Sequence, residues 1–362
     1  MLKSDRHRYI TTGLFFFLNI FIIFFIVEVL SRIINHQKVF QWMDYRGTTY
    51  NLYKSTLPVQ HHDALGWIPK PGFSGTHALW NKKITIMEDG IRSNGNPAKL
   101  KSLSPILAAG DSFTFGDQVA DHETWPSFLE KQIHRPVLNA GVFAYGLDQS
   151  FLRLKLLIPK YKPGIIILSF IPDDIYRCEY STTFGANKPY FTIQNKALAL
   201  QGVPVWNNIH KSNFIFQILG YSYFIHMTMM KWNPNGWLSG GYALNENPTG
   251  YPGKDIACLI FKELEKVIKT NHVREAYIVV QDTNPTTSSA DIDAVLSCIN
   301  NKVFHVIDTR DILNDVKNMN PTRYNSFFNI HMTAWGNQFI AETILNKMHQ
   351  HAVTNKLKAK NH

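Results

Sequence analysis

The 362-residue sequence contains only three cysteines, and these lie far apart in the chain. Cys178, Cys258 and Cys298 form no Cys-x-x-Cys pair, which excludes the usual zinc spacings and a dense disulfide framework. One disulfide with a leftover thiol fits the count, but buried unpaired cysteines are the simpler interpretation and the one we favour. Acidic residues are also scarce, since 27 of them against 37 basic residues give a formal net charge of +10.

This excess of positive charge is not gathered into a nucleic-acid-binding motif. The sequence has no zinc-finger spacing, no RNP-like stretch and no concentrated basic block, although a basic tail occupies residues 353–362. We therefore expect no nucleic-acid partner, and the charge suits anionic lipid headgroups or an anionic polymer equally well. No motif calls for a metal or another cofactor: the adjacent histidines at 61–62 have no matching carboxylate spacing and are interpreted as loop residues.

The N-terminal region contains a long apolar run. From Tyr9 to Val27 there is no charged residue, which is enough chain to cross a bilayer as a helix. No small-x-small cleavage site follows, so an uncleaved signal-anchor is favoured over a cleaved signal peptide. The basic residues before the run place the tail, 1–8, in the cytoplasm by the positive-inside rule. The sequence thus predicts a single-pass anchor at 9–30 and an extracytoplasmic main domain, periplasmic in a Gram-negative cell.

Beyond a membrane-proximal segment at 31–100, short apolar strands alternate with longer helical patterns. Strands are predicted at 104–109, 137–140, 165–170, 276–280 and 303–307. Helices are predicted at 123–134, 147–159, 255–269, 289–300 and 334–350. This alternation is typical of parallel pairing and predicts an α/β fold, a three-layer α/β/α sandwich with a mainly parallel sheet, over residues 101–352.

An insertion at 185–250 interrupts the alternation. Residues 188–205 are predicted to form a hairpin with its turn near "QNKA". The apolar stretch around 213–232 predicts a helix packed on the domain or lying at the membrane surface, in preference to a second span.

Chemically useful residues follow the predicted strands. Ser112 follows the first strand, Gly141 the second and Asp173 the third, while His331 precedes the last helix. Because ligands bind outside the carboxyl ends of the strands in open α/β sheets, these four residues are expected at one edge. A turn serine capping the next helix is the alternative interpretation of Ser112, and a local turn contact is the main role expected of Asp111.

The same stretches resemble blocks of the SGNH/GDSL hydrolases, especially membrane-anchored bacterial members. "GDSFTFG" resembles the first block, which implies that Ser112 is the nucleophile. "LNAGVFAYG" resembles the second block, which implies that the Gly141 N–H donates to the oxyanion. A developing oxyanion needs fixed donors, and the backbone N–H of Ser112 is a second candidate. "NIHMTAWGNQFIAE" resembles the last block and implies that His331 is the base, a role that suits neutral imidazole near pH 7.

Two positions depart from the family pattern. The third block has an Asn that donates to the oxyanion, but Asp173 stands there, and an ionised carboxylate would repel the developing charge. The last block has Asp two residues before the histidine, but Asn329 stands there, and an amide orients imidazole without stabilising imidazolium. Asp282 and Asp308 are other carboxylates that could take the place of the aspartate missing at position 329.

The resemblance implies a serine-dependent ester hydrolase or O-acyltransferase that works through a Ser112 acyl-enzyme, with Asn329 in the third catalytic position and Asp173 at the oxyanion. Its implied substrates are O-acyl groups of envelope carbohydrate, with acylated small molecules as the other partner class. The alternative is a degenerate module that binds a glycan or a protein partner and turns nothing over. Asp173 and Asn329 favour this alternative, whereas Ser112, Gly141 and His331 favour the enzyme.

Overall fold

The computed structural model describes residues 2–47, 58–77, 80–95, 104–184, 186–205, 213–238, 247–281 and 289–360. They belong to two compact units. One comprises Met1–Ser55 and Ile209–Asn245, and the other comprises Thr56–Asn208 and Glu246–His362. The predicted segment bounds, 31–100 for the membrane-proximal segment and 185–250 for the insertion, stay predictions.

The described elements are short strands and longer helices. The strands are β1 (Val59–His62), β2 (Gly66–Pro69), β3 (Ser74–His77), β4 (Lys82–Thr85), β5 (Ile106–Ala109), β6 (Val137–Asn139), β7 (Ile165–Phe170), β8 (Thr182–Thr183), β9 (Ala186–Asn187), β10 (Tyr190–Gln194), β11 (Ala197–Gln201), β12 (Glu275–Val280), β13 (Phe304–Asp308), β14 (Phe328–Asn329) and β15 (His331–Met332). The helices are α1 (Leu2–Ile34), α2 (Ser112–Phe115), α3 (Trp125–Ile133), α4 (Leu147–Tyr161), α5 (Pro172–Arg177), α6 (Phe214–Leu219), α7 (Tyr223–Trp232), α8 (Pro234–Leu238), α9 (Gly253–Thr270), α10 (Ser289–Ser297), α11 (Arg310–Met319), α12 (Pro321–Ser326) and α13 (Ala334–Lys360).

Five strands form one parallel sheet in the order β13-β12-β7-β5-β6. β5 and β7 are buried along their whole length, as expected for strands covered on both faces. The predicted α/β class with a parallel sheet is confirmed. All five predicted strands are present, with their ends displaced by at most two residues.

Alternate residues of each central strand enter two separate cores, one on each face of the sheet. Leu107 and Ala109 of β5 join a core that includes residues of α4, α9 and α10. Ile106 and Ala108 of the same strand join a second core that includes residues of α3 and α13. The period of two along a strand therefore produces the three layers of the sandwich.

The insertion contains the predicted hairpin. β10 and β11 pair antiparallel from Tyr190↔Gln201 to Gln194↔Ala197. Asn195 and Lys196 between them both have positive φ, the conformation of a tight two-residue hairpin turn. The hairpin prediction is confirmed.

The N-terminal unit is built on α1, a helix of 33 residues. Tyr9–Ile34 within it has a mean hydropathy of 2.6, and over the described residues it is the one helix long and apolar enough to cross a membrane. The apolar stretch near 213–232 forms two short helices, α6 and α7, separated by Gly220–Ser222. Neither is long enough for a second span.

The cysteines differ from the favoured interpretation. Cys258 of α9 is bonded to Cys298, which follows α10, and only Cys178 is a free, buried thiol. The expectation of three unpaired cysteines is wrong for two of them. Spacing alone could not show this, because packing α9 beside α10 is what brings residues 40 positions apart together.

Candidate active site

The candidate site lies at the carboxyl ends of the parallel strands. β5 is flanked by β6 on one side and β7 on the other, so the chain order reverses beside it. Such a topological switch point opens a crevice where the two connections leave in opposite directions. The chain leaves β5 through Gly110 and Asp111 and enters α2 at Ser112, which places the serine at this crevice.

Local hydrogen bonds fix the turn that carries Ser112. The Asp111 carboxylate caps α2 by accepting a hydrogen bond from the N–H of Phe113 at 3.0 Å. This confirms the turn contact expected of Asp111. The Ser112 hydroxyl lies 3.4 Å from the other Asp111 carboxylate oxygen. Ser112 is thus the first residue of α2, and the hydrogen bonds of Asp111 fix the turn that carries its hydroxyl group.

The structure brings Ser112 and His331 together although they lie 219 positions apart in the sequence. The Ser112 Oγ atom lies 3.0 Å from His331 Nε2, which is hydrogen-bond distance. The β14–β15 hairpin positions the imidazole, and its backbone is tied to the nucleophile segment because the His331 N–H donates to Gln118 Oε1 at 2.8 Å. The pair has the geometry of a nucleophile and its base.

The environment of His331 keeps the imidazole neutral. Burial, and then the positive charge of Arg177, lower the pKa of His331 from 6.5 to about 4. The second ring nitrogen, Nδ1, is buried and has no hydrogen-bond partner among the described residues. The base is therefore unprotonated at neutral pH, but nothing in the described chain accepts a proton from Nδ1.

Gly141 packs directly against the nucleophile helix. A Cβ atom at this position would lie 2.3 Å from the backbone nitrogen of Phe115, so the close approach requires glycine. The Gly141 N–H donates to the Asn139 side chain at 3.1 Å. The donor that the resemblance assigns to the oxyanion is engaged within the protein in this structure. The N–H of Ser112, by contrast, has no acceptor among the described residues.

Asp173 is the exposed member of the pair of carboxylates that follows β7. Its side chain is 74% exposed and lies 3.9 Å from the Arg177 guanidinium. The next residue, Asp174, is buried, caps α5 by accepting from the Ile171 N–H, and forms an ion pair with Arg177 at 2.6 Å. Burial raises the pKa of Asp174 well above its usual value. Asp174 is thus the buried carboxylate after β7, and the oxyanion role of Asp173 stays a prediction.

Among the residues that the structure describes, no carboxylate forms a hydrogen bond with His331 Nδ1. Asn329 is exposed on β14 and makes no hydrogen bond to the imidazole. Asp308 forms its ion pair with Arg310 at 2.7 Å instead. Asp282 lies outside the described residues. The structure therefore joins Ser112 and His331 and leaves Asn329 and Asp308 apart from them.

Asp117 is a site residue to which sequence reasoning gave no role. Its Oδ2 atom lies 3.9 Å from His331 Nε2, and its Oδ1 atom is buried without a hydrogen-bond partner. Burial raises the pKa of Asp117 to about 7, against the opposing effect of the Arg92 charge. The only signal in the sequence was position, since Asp117 follows the helical turn that begins at Ser112 and ends at Gly116.

The described residues contain no group of three histidine, cysteine or acidic side chains that could hold a metal ion. The polar groups gathered around Ser112 are one imidazole, carboxyl groups and a guanidinium. Their distances suit proton transfer and charge stabilisation by the protein's own side chains.

Comparisons with known proteins add structural neighbours only. No family model and no curated protein matches the chain. Among solved structures, it is similar to a lipolytic protein of the G-D-S-L family from Desulfitobacterium hafniense (13% identity, 68% of this chain and 99% of that one, TM-score 0.35). It is also similar to TesA (11% identity, 67% of this chain and 97% of that one, TM-score 0.37). A third similar structure is a catalytic mutant of an acetylxylan esterase from Geobacillus stearothermophilus (11% identity, 67% of this chain and 93% of that one, TM-score 0.36).

At these identities and TM-scores, the similarities carry no weight for activity or substrate. The features that define the class are those of the chain itself: a parallel five-stranded sheet, a Gly-Asp-Ser turn after β5, and a histidine from the last hairpin beside the serine. In these features the chain resembles the SGNH/GDSL hydrolases.

Proposed function

We propose that the protein is a serine-dependent ester hydrolase or acyltransferase in which Ser112 attacks the acyl carbon and His331 is the general base. The observation that carries this proposal is the 3.0 Å distance between Ser112 Oγ and His331 Nε2, with the imidazole held neutral by burial. A serine hydroxyl is a weak nucleophile until a base accepts its proton, and this geometry supplies that base.

In the first step the Ser112 Oγ–C bond forms while the hydroxyl proton passes to His331 Nε2. The carbonyl oxygen becomes an oxyanion, for which the free N–H of Ser112 is the first donor. Gly141 becomes a second donor if the Asn139 side chain releases its N–H. The imidazolium then protonates the leaving alkoxide, which departs and leaves an acyl group on Ser112.

Asp117 supplies the charge that Asn329 lacks. Its carboxyl lies 3.9 Å from the nitrogen that receives the proton, so its ionised form stabilises the imidazolium as it forms. Because its pKa is raised to about 7, the carboxylate is present mainly above that pH. We propose this arrangement as the functional counterpart of the missing aspartate at position 329.

We further propose that the substrates are O-acyl groups on carbohydrate of the cell envelope. α1 anchors the chain in the membrane with its N-terminus in the cytoplasm, so the main domain is extracytoplasmic. The Cys258–Cys298 disulfide supports this placement, since disulfides persist in oxidising compartments such as the bacterial periplasm.

In the second step, water or a sugar hydroxyl attacks the acyl-enzyme. Attack by water gives hydrolysis, and attack by a sugar hydroxyl gives acyl transfer.

A module that binds a glycan or a protein without turnover is the second candidate. The observations that favour it are the partnerless Nδ1 of His331, the exposed Asn329 and the engaged N–H of Gly141. Each of these lowers catalytic power, whereas none of them blocks access of an acyl group to Ser112.

The test is turnover of an activated acetyl ester by the full-length protein in detergent. We expect Ser112-dependent release of the alcohol, loss in Ser112→Ala and His331→Ala, and retention in Ser104→Ala, a matched exchange at an exposed serine before β5. Adding an acetylated oligosaccharide with a second, unacetylated one separates free acetate from transferred acetyl groups. Binding of the oligosaccharide without Ser112-dependent turnover would favour the second candidate.

A further inference from the structure

The end of the membrane-spanning helix is joined to α7 through Glu28. Its carboxylate accepts hydrogen bonds from the Ser222 hydroxyl at 2.7 Å and from the N–H groups of Tyr223 and Phe224 at 2.9 and 3.0 Å. Arg32, one turn further along α1, donates to Glu28 at 2.6 Å. A carboxylate on the apolar helix thus caps the N-terminus of α7, where the helix dipole favours negative charge.

These bonds set the depth of α7 relative to the bilayer. From Tyr9 to Glu28 the helix rises about 28 Å at ~1.5 Å per residue. The hydrocarbon core of a bilayer is about 30 Å thick, so Glu28 lies at the boundary where the span leaves the hydrocarbon. The first turn of α7 is held at the same level because its backbone N–H groups bond to that side chain.

Exposed apolar side chains occur along both α6 and α7. The most exposed of them is Phe214, at 72%. The others are Ile215, Ile218, Tyr221, Phe224 and Met227. Two exposed tryptophans accompany them, Trp42 at 84% and Trp232 at 80%. We call this set the apolar face. In the sequence 213–238 the only charged residue is Lys231, and there is no acidic residue.

Another side of α7 is already used for packing. Tyr223 and His226 are buried on it, the Tyr223 ring contacts Tyr45 at 5.1 Å, and His226 Nδ1 accepts from the Trp237 indole N–H at 3.0 Å. The apolar face is therefore not the inward side of a small core. Within the N-terminal unit it is a second apolar surface, turned outward.

We propose that the apolar face is embedded in the membrane interface, in the leaflet where α1 leaves the bilayer. Aromatic side chains with few acidic residues are the composition of interfacial helices, and tryptophan concentrates at the headgroup level. The contacts of Glu28 place the face at that level, which identifies lipid as its occupant. This inference rests on the proposed anchor and adds a second membrane contact to it.

The experiment uses full-length protein in phosphatidylethanolamine/phosphatidylglycerol nanodiscs with an environment-sensitive fluorophore on one introduced cysteine. Phe17→Cys reports on the middle of α1, and Ile218→Cys reports on the apolar face. The native cysteines do not compete for the label, since Cys178 is buried and the other two are bonded. Each sample is exposed to lipids with a nitroxide at a deep or shallow position and, separately, to aqueous iodide.

We expect the Phe17→Cys label to lose most emission with the deep nitroxide and the Ile218→Cys label with the shallow nitroxide, both with little loss to iodide. Quenching of the Ile218→Cys label by iodide alone would place the face in water and overturn the inference while leaving the anchor intact. Protection from both quenchers would mean that protein, such as a second copy of the chain, covers the face, which also overturns it. An unquenched Phe17→Cys label would overturn the anchor and the inference together.

Discussion

At the scale of single residues, the charge states around Ser112 are set by burial. His331 loses basicity because its imidazole is buried near Arg177, and its pKa falls to about 4. Asp117 loses acidity for the same reason, and its pKa rises to about 7. Between these two values the base is neutral and its acidic neighbour is mostly uncharged. Asp111, whose carboxyl lies 3.4 Å from Ser112 Oγ, is a third such group, because burial raises its pKa to about 6. We assign the pH dependence of activity to the first two residues, and Asp111→Asn, which keeps a side chain able to cap α2, tests for a contribution of the third.

The pH profile of kcat/KM is predicted to rise twice. The first rise, near pH 4, comes from deprotonation of His331, since only neutral imidazole accepts the serine proton. The second, near pH 7, comes from ionisation of Asp117, whose negative charge then stabilises the imidazolium. We expect kcat/KM to increase at least about threefold over this second rise. A factor of about three corresponds to a free energy well below the ~4 kcal/mol between unit charges 4 Å apart at an effective dielectric of ~20.

Asp117→Asn should remove the second rise and keep the first. Asp173→Asn is the matched control, and because the Asp173 side chain is exposed, we expect no loss of either step. The oxyanion role of position 173 stays a prediction, and an amide donor there would raise the whole profile without removing either step. A single rise centred near 6.5 in the wild-type protein would contradict the assignment to a buried His331.

Asn329→Asp is predicted to raise ester turnover. The buried Nδ1 of His331 has no acceptor, and a carboxylate turned toward it would fix the productive tautomer and stabilise imidazolium. The reverse exchange, Asp to Asn, lowers kcat by ~10⁴ in a serine protease, and this factor is the upper limit for the gain here. We expect kcat to rise at least about tenfold. The gain must vanish when Ser112→Ala is added, and an unchanged rate in a folded variant would count against this role for position 329.

At the scale of elements, the sequence was sufficient for the sheet and insufficient for the site. Continuous apolar runs such as Ile165–Phe170 identify buried parallel strands, and the rule for strand ends then places Ser112 and His331 at one edge. Side-chain orientation was not predictable in the same way. Whether Asp173 or Asp174 turns inward is decided by the first turn of α5, where Asp174 caps the helix. Asp117 approaches His331 only through the tertiary packing of the β14–β15 hairpin.

Gly141→Ala tests the packing of the loop after β6 against α2. The new Cβ would lie 2.3 Å from the Phe115 nitrogen, so the loop or the helix that begins at Ser112 must move. Overpacking of this kind costs about 1–3 kcal/mol, and we expect that loss in the free energy of unfolding together with weakened Ser112 reactivity. Urea denaturation gives the first quantity and ester turnover the second. Gly75→Ala is the matched control, because its backbone is not left-handed and its added Cβ meets only the end of the Phe73 side chain, at 3.2 Å.

At the scale of the whole molecule, the chain combines α1, a helix long and apolar enough to cross a membrane, with an α/β/α unit that contains a disulfide. The proposed export and membrane attachment of the protein rest on these two features. A fusion of residues 1–40 to a reporter that works only outside the cytoplasm is predicted to be active and to remain in the membrane fraction. Release of a shortened, soluble reporter would show a cleaved signal peptide instead, and an inactive reporter would show the opposite orientation.

The central claim is that Ser112 is a nucleophile activated by His331. A fluorophosphonate probe added to the full-length protein at pH 7.5 tests this most directly, because it bonds covalently to activated serines and needs no knowledge of the substrate. We predict one labelled peptide containing Ser112, no label in Ser112→Ala, greatly slowed labelling in His331→Ala and normal labelling in Ser104→Ala. A folded wild-type protein that takes up no probe at Ser112 would contradict the account.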